Sequence, residues 1–146
     1  MPEPPVIRVH SLAQALGALR AAARAGRPVV LASAEGAGSY LGPGNFSSLC
    51  QAARTEVPQA QSSALLDCGE DAGAALAAIR GEVSGVVFTG REDVAARLAD
   101  IARLHGVAFL RQRPSAALDL EGDFFATAEE AEQLCAVVLA ASGRSC

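Results

Sequence analysis

"SSALLDCGEDAGAALAAIRGEVSGVVFTG", residues 62–90, alternates between two kinds of pattern. An apolar run of strand length, 62–67, ends in Asp67-Cys68-Gly69. A helical stretch follows from about 70 to 80, with Glu70 and Asp71 in its first turn, where the positive end of the helix dipole favours acids. A second apolar run, 85–89, comes next. Short continuous apolar runs belong to strands covered on both faces, as in parallel sheets. Strand, helix and strand together form a crossover unit, right-handed almost by default.

The same alternation extends in both directions. "PVIRVH" (5–10) is a short strand, and Ser11 with Gln14 forms a capping box for the helix after it. Leu12, Ala15, Leu16, Leu19 and Ala23 mark one face of that helix, and Gly26 ends it. "PVVLAS" (28–33) is the second strand. "AEGAGSYLGPGN" (34–45) reads as a Gly-rich loop, with Asn45 capping a helix over about 46–56. Thr89 with Glu92 forms another capping box, for a helix running to about Leu104 with an Asp93–Arg97 pair on its wet face. "VAFLR" (107–111) is the fifth strand. Residues 114–125 read as irregular, and Thr127 with Glu130 caps a last helix to about Ala141, followed by a mobile tail, "SGRSC".

The fold class is therefore α/β: five parallel strands alternating with helices. Pattern alone does not order the strands, so a flavodoxin-like open sheet and a piece of a (β/α) barrel read alike. A sequential order, curved as a partial barrel, is the expectation. Its two edge strands, 5–10 and 107–111, are short and largely apolar, and such edges invite pairing. Leu118, Leu120, Phe124, Phe125, Leu134, Val137 and Leu139 offer cover for part of the apolar surface. A homodimer with the C-terminal helix in the contact is expected to supply the rest.

A chain of 146 residues is read as one α/β domain, 1–146, with 5–112 as its barrel-like part and 113–146 as an irregular segment plus the C-terminal helix. Such a chain buries about 70% of its unfolded surface and needs no staples. The net charge of −4, the pI of about 5.1 and the lack of any basic tract leave no footprint for nucleic acid. No stretch approaches ~18 uninterrupted apolar residues, so no membrane span is expected. The start, "MPEPPVIRVH", has neither a basic nor an apolar leader region, so a cytoplasmic protein is expected. Cys50, Cys68, Cys135 and Cys146 include no Cys-x-x-Cys pair, and His10 and His105 are remote from them in sequence, which argues against zinc and against a disulfide scaffold. Cys50 and Cys135 read as buried small hydrophobes.

Residues 5–112 resemble the class II fructose-bisphosphate aldolases, metal-dependent (β/α)8 barrels. "RPVVLASAEGAGSYLGPGNFSSLCQAA" resembles that family's strand, Ser-Glu-Gly-Ala loop and helix. "ALLDCGEDAGAALAAIRGEVSGVVFTG" resembles its "LDHG…A…G…SVMIDGS" segment, and "DVAARLADIARLHGVAFL" its next helix and strand. The resemblance implies an acid/base role for Asp67, matched to the family's catalytic Asp. The family's metal-binding His is replaced by Cys68, its next-strand carboxylates fall on Leu110 and Gln112, and its remaining His ligands lie on later strands that this sequence does not show. A catalytic divalent ion needs about three protein ligands. No metal and no cofactor are expected.

Active sites of parallel α/β folds lie at the carboxyl ends of the strands. That rim collects His10, Ser33, Glu35, Gly36, Asp67, Cys68, Thr89, Gly90 and Arg111. Asp67 would serve as a general base, or else cap the helix that follows. Cys68 at a helix start would be a nucleophile, or else an inert buried thiol. Ser33, Glu35, Gly36, Thr89, Gly90 and Arg111 are read as ligand-binding, with the N–H groups at 89–91 and Arg111 suited to a small anionic or phosphorylated ligand. Two functions follow: a non-catalytic ligand-binding or self-associating protein derived from an aldolase-like barrel, or a lyase acting on a phosphorylated sugar.

Overall fold

The computed structural model describes residues 3–123 and 127–142. Phe124, Phe125, Cys146 and the tail beyond Ser142 lie outside the described residues. The elements are β1 (Val6–Arg8), α1 (Leu12–Ala25), β2 (Val29–Ala32), α2 (Ala37–Tyr40), α3 (Pro43–Glu56), β3 (Ser62–Asp67), α4 (Ala72–Arg80), β4 (Gly85–Val87), α5 (Glu92–His105), β5 (Ala108–Leu110), β6 (Leu118–Asp119), a 3-10 turn (Glu121–Asp123) and α6 (Ala128–Ser142). The six strands form one open sheet in the order β5-β4-β3-β2-β1-β6. The pairings of β1 with β2 and β6, and of β4 with β3 and β5, are parallel. The five expected strands stand in sequential order, and a sixth is added beside β1.

That sixth strand falls where the sequence reads as irregular. Two residues carry no periodicity, so β6 is specified by its partner rather than by its own pattern. Ile7 and Arg8 stand opposite Leu118 and Asp119. Ala117 N–H donates to Val6 O (2.8 Å) and Leu120 N–H to Arg8 O (3.1 Å).

Packing divides the chain into two compact units: residues 1–32, 49–63 and 115–146, and residues 33–48 and 64–114. In the first unit Ser11 caps α1 by accepting from Gln14 N–H (3.2 Å), as the capping box requires. The Gln14 side chain also reaches beyond the cap. Its Oε1 accepts from His10 N–H (2.7 Å) and its Nε2 donates to Leu120 O (2.8 Å), tying α1 to the segment after β6. Gln14 is fully buried, whereas Leu12, expected on the apolar face, is exposed. The reason is α6, which packs along α1 and shifts its buried surface toward Ala15, Ala18, Leu19 and Ala22. A Cβ on Gly17 would stand 2.6 Å from Ala131 Cβ and 2.7 Å from Ala128 O, so this contact admits only a glycine without movement. Arg20–Glu129 (3.7 Å) and Arg24–Glu132 (2.9 Å) flank it. Leu120 and Leu139 are fully buried, while Leu134 and Val137 face outward. Thr127 caps α6 through Glu130 N–H (3.2 Å).

In the second unit, the β3–β4 ladder runs past the strand ends: Cys68 N–H donates to Val87 O (2.9 Å) and Thr89 N–H to Gly69 O (2.8 Å). Thr89 does not cap α5, because that helix begins only at Glu92. Arg91 occupies that position and makes no side-chain cap bond. Helix α4 starts at Ala72 and is capped by Asp71, which accepts from Ala74 N–H (3.0 Å), so Glu70 and Asp71 precede the first turn instead of filling it. The expected loop 34–45 contains α2 and the start of α3. Pro43 begins α3, the first helical position that proline suits, and Asn45 lies inside it, donating to Leu41 O. Among the described residues, no helix is long and apolar enough to cross a membrane.

Candidate functional site

The carboxyl ends of β3 and β4 carry the polar residues of the second unit. Asp67 is the last residue of β3 and only 5% exposed. Its N–H donates to Ser33 Oγ (2.9 Å), and that hydroxyl donates to Ala34 O (2.9 Å). Its Oδ1 accepts from the N–H groups of Gly36 (3.0 Å) and Gly69 (2.9 Å). Both glycines have positive φ, 71° and 56°, a conformation that L side chains rarely adopt and that turns their N–H groups onto the carboxylate. Asp67 thus binds loop backbone and does not cap α4; Asp71 does.

A residue not singled out in the sequence completes the cluster. Arg113 pairs through Nε with Asp67 Oδ2, donates from Nη2 to Asp67 Oδ1 (3.3 Å), and places Nη2 3.5 Å from Glu35 Oε1. Its signal was the Arg-x-Arg spacing just after β5, which sends two guanidinium groups from one segment. Ser33, Glu35, Gly36 and Asp67 are brought together, with Arg113 among them.

Thr89, Gly90 and Arg111 form an adjoining cluster. Arg111 donates from Nη1 to Phe88 O (2.7 Å) and from Nη2 to Gly90 O (2.8 Å), and its guanidinium lies 5.7 Å from the centre of the Phe88 ring. A Cβ on Gly90 would meet that ring at 2.5 Å, which fixes glycine there. Thr89 N–H is engaged by Gly69 O.

Cys68 is buried against α2: a Cβ on Gly38 would lie 2.8 Å from its Sγ. Burial first, then the charges of Asp67 and Asp71, push its thiol up to about 12. A thiol so placed stays protonated in the metal-free chain and is a poor nucleophile.

His10 belongs to the first unit. Its Nε2 meets Asp119 Oδ1 at 2.8 Å, while Arg8 Nη1 lies 3.5 Å from Asp119 Oδ2 and Glu121 N–H donates to Oδ1 (3.0 Å). Partial burial works to raise the Asp119 carboxyl. The hydrogen bonds from His10 and Glu121 and the nearby charges of His10 and Arg8 outweigh it, and the carboxyl lies below its ordinary value.

The divalent ion implied by the aldolase resemblance does not fit these donors. Asp67 Oδ1 is held by two N–H groups and Arg113, its Oδ2 faces a guanidinium, and Cys68 Sγ is packed against Gly38. Leu110 and Gln112 offer no carboxylate. Among the described residues, no group of three or more His, Cys, Asp and Glu is placed to hold a metal ion.

Fold and rim together define an open, parallel β/α protein with its polar residues at strand carboxyl ends. The fold is similar to that of a presumed fructose-1,6-biphosphate aldolase from Coccidioides immitis, with a TM-score of 0.59 and 16% identity over 73% of this chain. The match spans 39% of that protein's chain, and at this identity the likeness is one of fold. No family model matches the chain, and no curated protein matches it.

Proposed function

We propose that the chain is a non-catalytic, cytoplasmic protein of the small-ligand-binding or self-associating kind, built on a class II aldolase-like β/α scaffold. One observation carries this reading: the acid matched to the catalytic Asp, Asp67, is closed in by the N–H groups of Gly36 and Gly69 and by Arg113, beside a thiol pushed to about 12. A general base must reach a substrate proton, and a nucleophile must ionise. Neither group is poised to do so. The same engagement weakens the lyase alternative with Asp67 as acid/base. An anionic or phosphorylated ligand would have to draw Arg111 from the carbonyls of Phe88 and Gly90 and meet Arg113 already held by two acids.

The test is metal content. Protein passed through gel filtration after incubation with zinc or cobalt is expected to carry far less than one equivalent. A stoichiometric ion that Asp67→Asn abolishes would contradict the reading.

A further inference from the structure

We propose that a cleft at the carboxyl end of α1 binds a small carboxylate, with Arg27 as the group that receives it. All its residues belong to the first unit and none is in the Asp67 cluster, so the site stands whether or not Asp67 has any chemistry.

The cleft has a volume of about 130 Å³ and is lined by Ala22, Ala23, Gly26, Arg27, Gln59 and Gln61. Helix α1 ends at Gly26, whose φ of 64° turns the chain. The Gly26 and Arg27 N–H groups close on the carbonyls of Ala23 (3.2 Å) and Ala22 (3.1 Å). Gln61 O accepts from Val29 N–H (3.0 Å) where β2 begins. Backbone bonds therefore fix Arg27 and Gln61, the residues that lead into β2 and β3. A Cβ on Gly26 would meet nothing within 4 Å, so the cleft is open there.

The state of Arg27 is the second, independent observation. Its Nε is buried and finds no acceptor among the described residues. Buried donors are paired in nearly all native structures, and a guanidinium keeps its charge at any physiological pH. Arg20 and Arg24 on the same helix pair with Glu129 and Glu132, whereas Arg27 forms no ion pair with a described residue. A fixed cation with an unused buried donor thus lines a cleft that has room for an acceptor.

The lining defines the ligand. None of the six residues is acidic, so the cleft is positive and favours an anion. The flat fork of a guanidinium, Nε with one Nη, matches the two oxygens of a carboxylate. Gln59 and Gln61 each supply an amide donor and acceptor for a hydroxyl or carbonyl next to that carboxylate. Ala22 and Ala23 offer methyl groups to a short carbon chain. A cavity of about 150 Å³ holds benzene, so about 130 Å³ suits about six heavy atoms, the size of lactate and too small for a sugar phosphate.

The test follows the arginine Nε–H resonances of the wild-type chain by NMR. Sodium lactate, neutral lactamide, sodium chloride and inorganic phosphate are titrated at constant ionic strength. Arg27→Lys identifies the Arg27 signal by its loss. Lactate is expected to shift that signal saturably in the millimolar range, with no response to lactamide or chloride. Arg27→Gln is expected to lose the accompanying shift of the Gln61 amide. An unmoved Arg27 signal, an equal response to lactamide or chloride, or a Gln61 shift that survives in Arg27→Gln would overturn the proposal. Phosphate that saturates the site at lower concentration than lactate would overturn the carboxylate assignment. If Arg27→Gln does not fold, the wild-type comparison of lactate with lactamide and chloride decides.

Discussion

Cys68 stands beside an acid at the end of a strand, yet its sulfur is packed against Gly38 and its thiol pushed up to about 12. The folded chain holds that proton to higher pH than the unfolded chain, whose thiol has the ordinary value of 9.0. Stability from this group is therefore complete below pH 9 and is lost as pH rises from 9 toward 12. Burial of Cys50 (about 11) and Cys135 (about 12) acts in the same direction. Unfolding free energies from urea titrations are expected to fall between pH 8 and pH 10, and Cys68→Ala is expected to reduce that fall by about 1 kcal/mol. An unchanged pH dependence in the variant would show that the thiol is not shielded. At this scale the sequence placed Asp67 and Cys68 at a strand end correctly, because an apolar run stops there. It did not show that Asp67 would be closed in, because that depends on two glycines with positive φ and on Arg113, which comes from 46 residues further along the chain.

Among the elements, β1 to β5 were legible as short, largely apolar runs, a signal set by burial on both faces. β6 was not, since two residues have no pattern and the strand exists through its bonds to β1 and through Leu120 O, held by Gln14. The buried face of α1 was legible in part, through Ala15 and Leu19, but Gly17, Ala18, Ala21 and Ala22 were missed for a related reason: α6 covers a second side of the helix, and a glycine and alanines there make no hydrophobic stripe. Gly17 is the sharpest element-level test. A methyl group there meets Ala131 Cβ at 2.6 Å and the backbone of α6 at 2.7 Å, so Gly17→Ala is expected to destabilise the chain by about 1–3 kcal/mol despite the better helix propensity of alanine. Chemical denaturation checks the value, and a stabilised variant would contradict this α1–α6 packing.

For the whole molecule, the sheet order leaves β5 and β6 at its ends, and α6 turns Leu134 and Val137 outward. We propose that a second copy covers this apolar surface through a two-fold contact. Sedimentation equilibrium at micromolar concentration should give about twice the chain mass of 14.8 kDa. Leu134→Glu with Val137→Glu should give a folded monomer. A wild-type monomer would remove α6 from any self-association.

The proposed non-catalytic function turns on whether Asp67, closed in at its strand end, supports any aldolase-type chemistry. The most direct measurement is cleavage of fructose 1,6-bisphosphate by the purified chain with added zinc or cobalt, compared with Asp67→Asn. No metal-dependent cleavage above the Asp67→Asn background is expected. Cleavage that requires the metal and is lost in Asp67→Asn would contradict it.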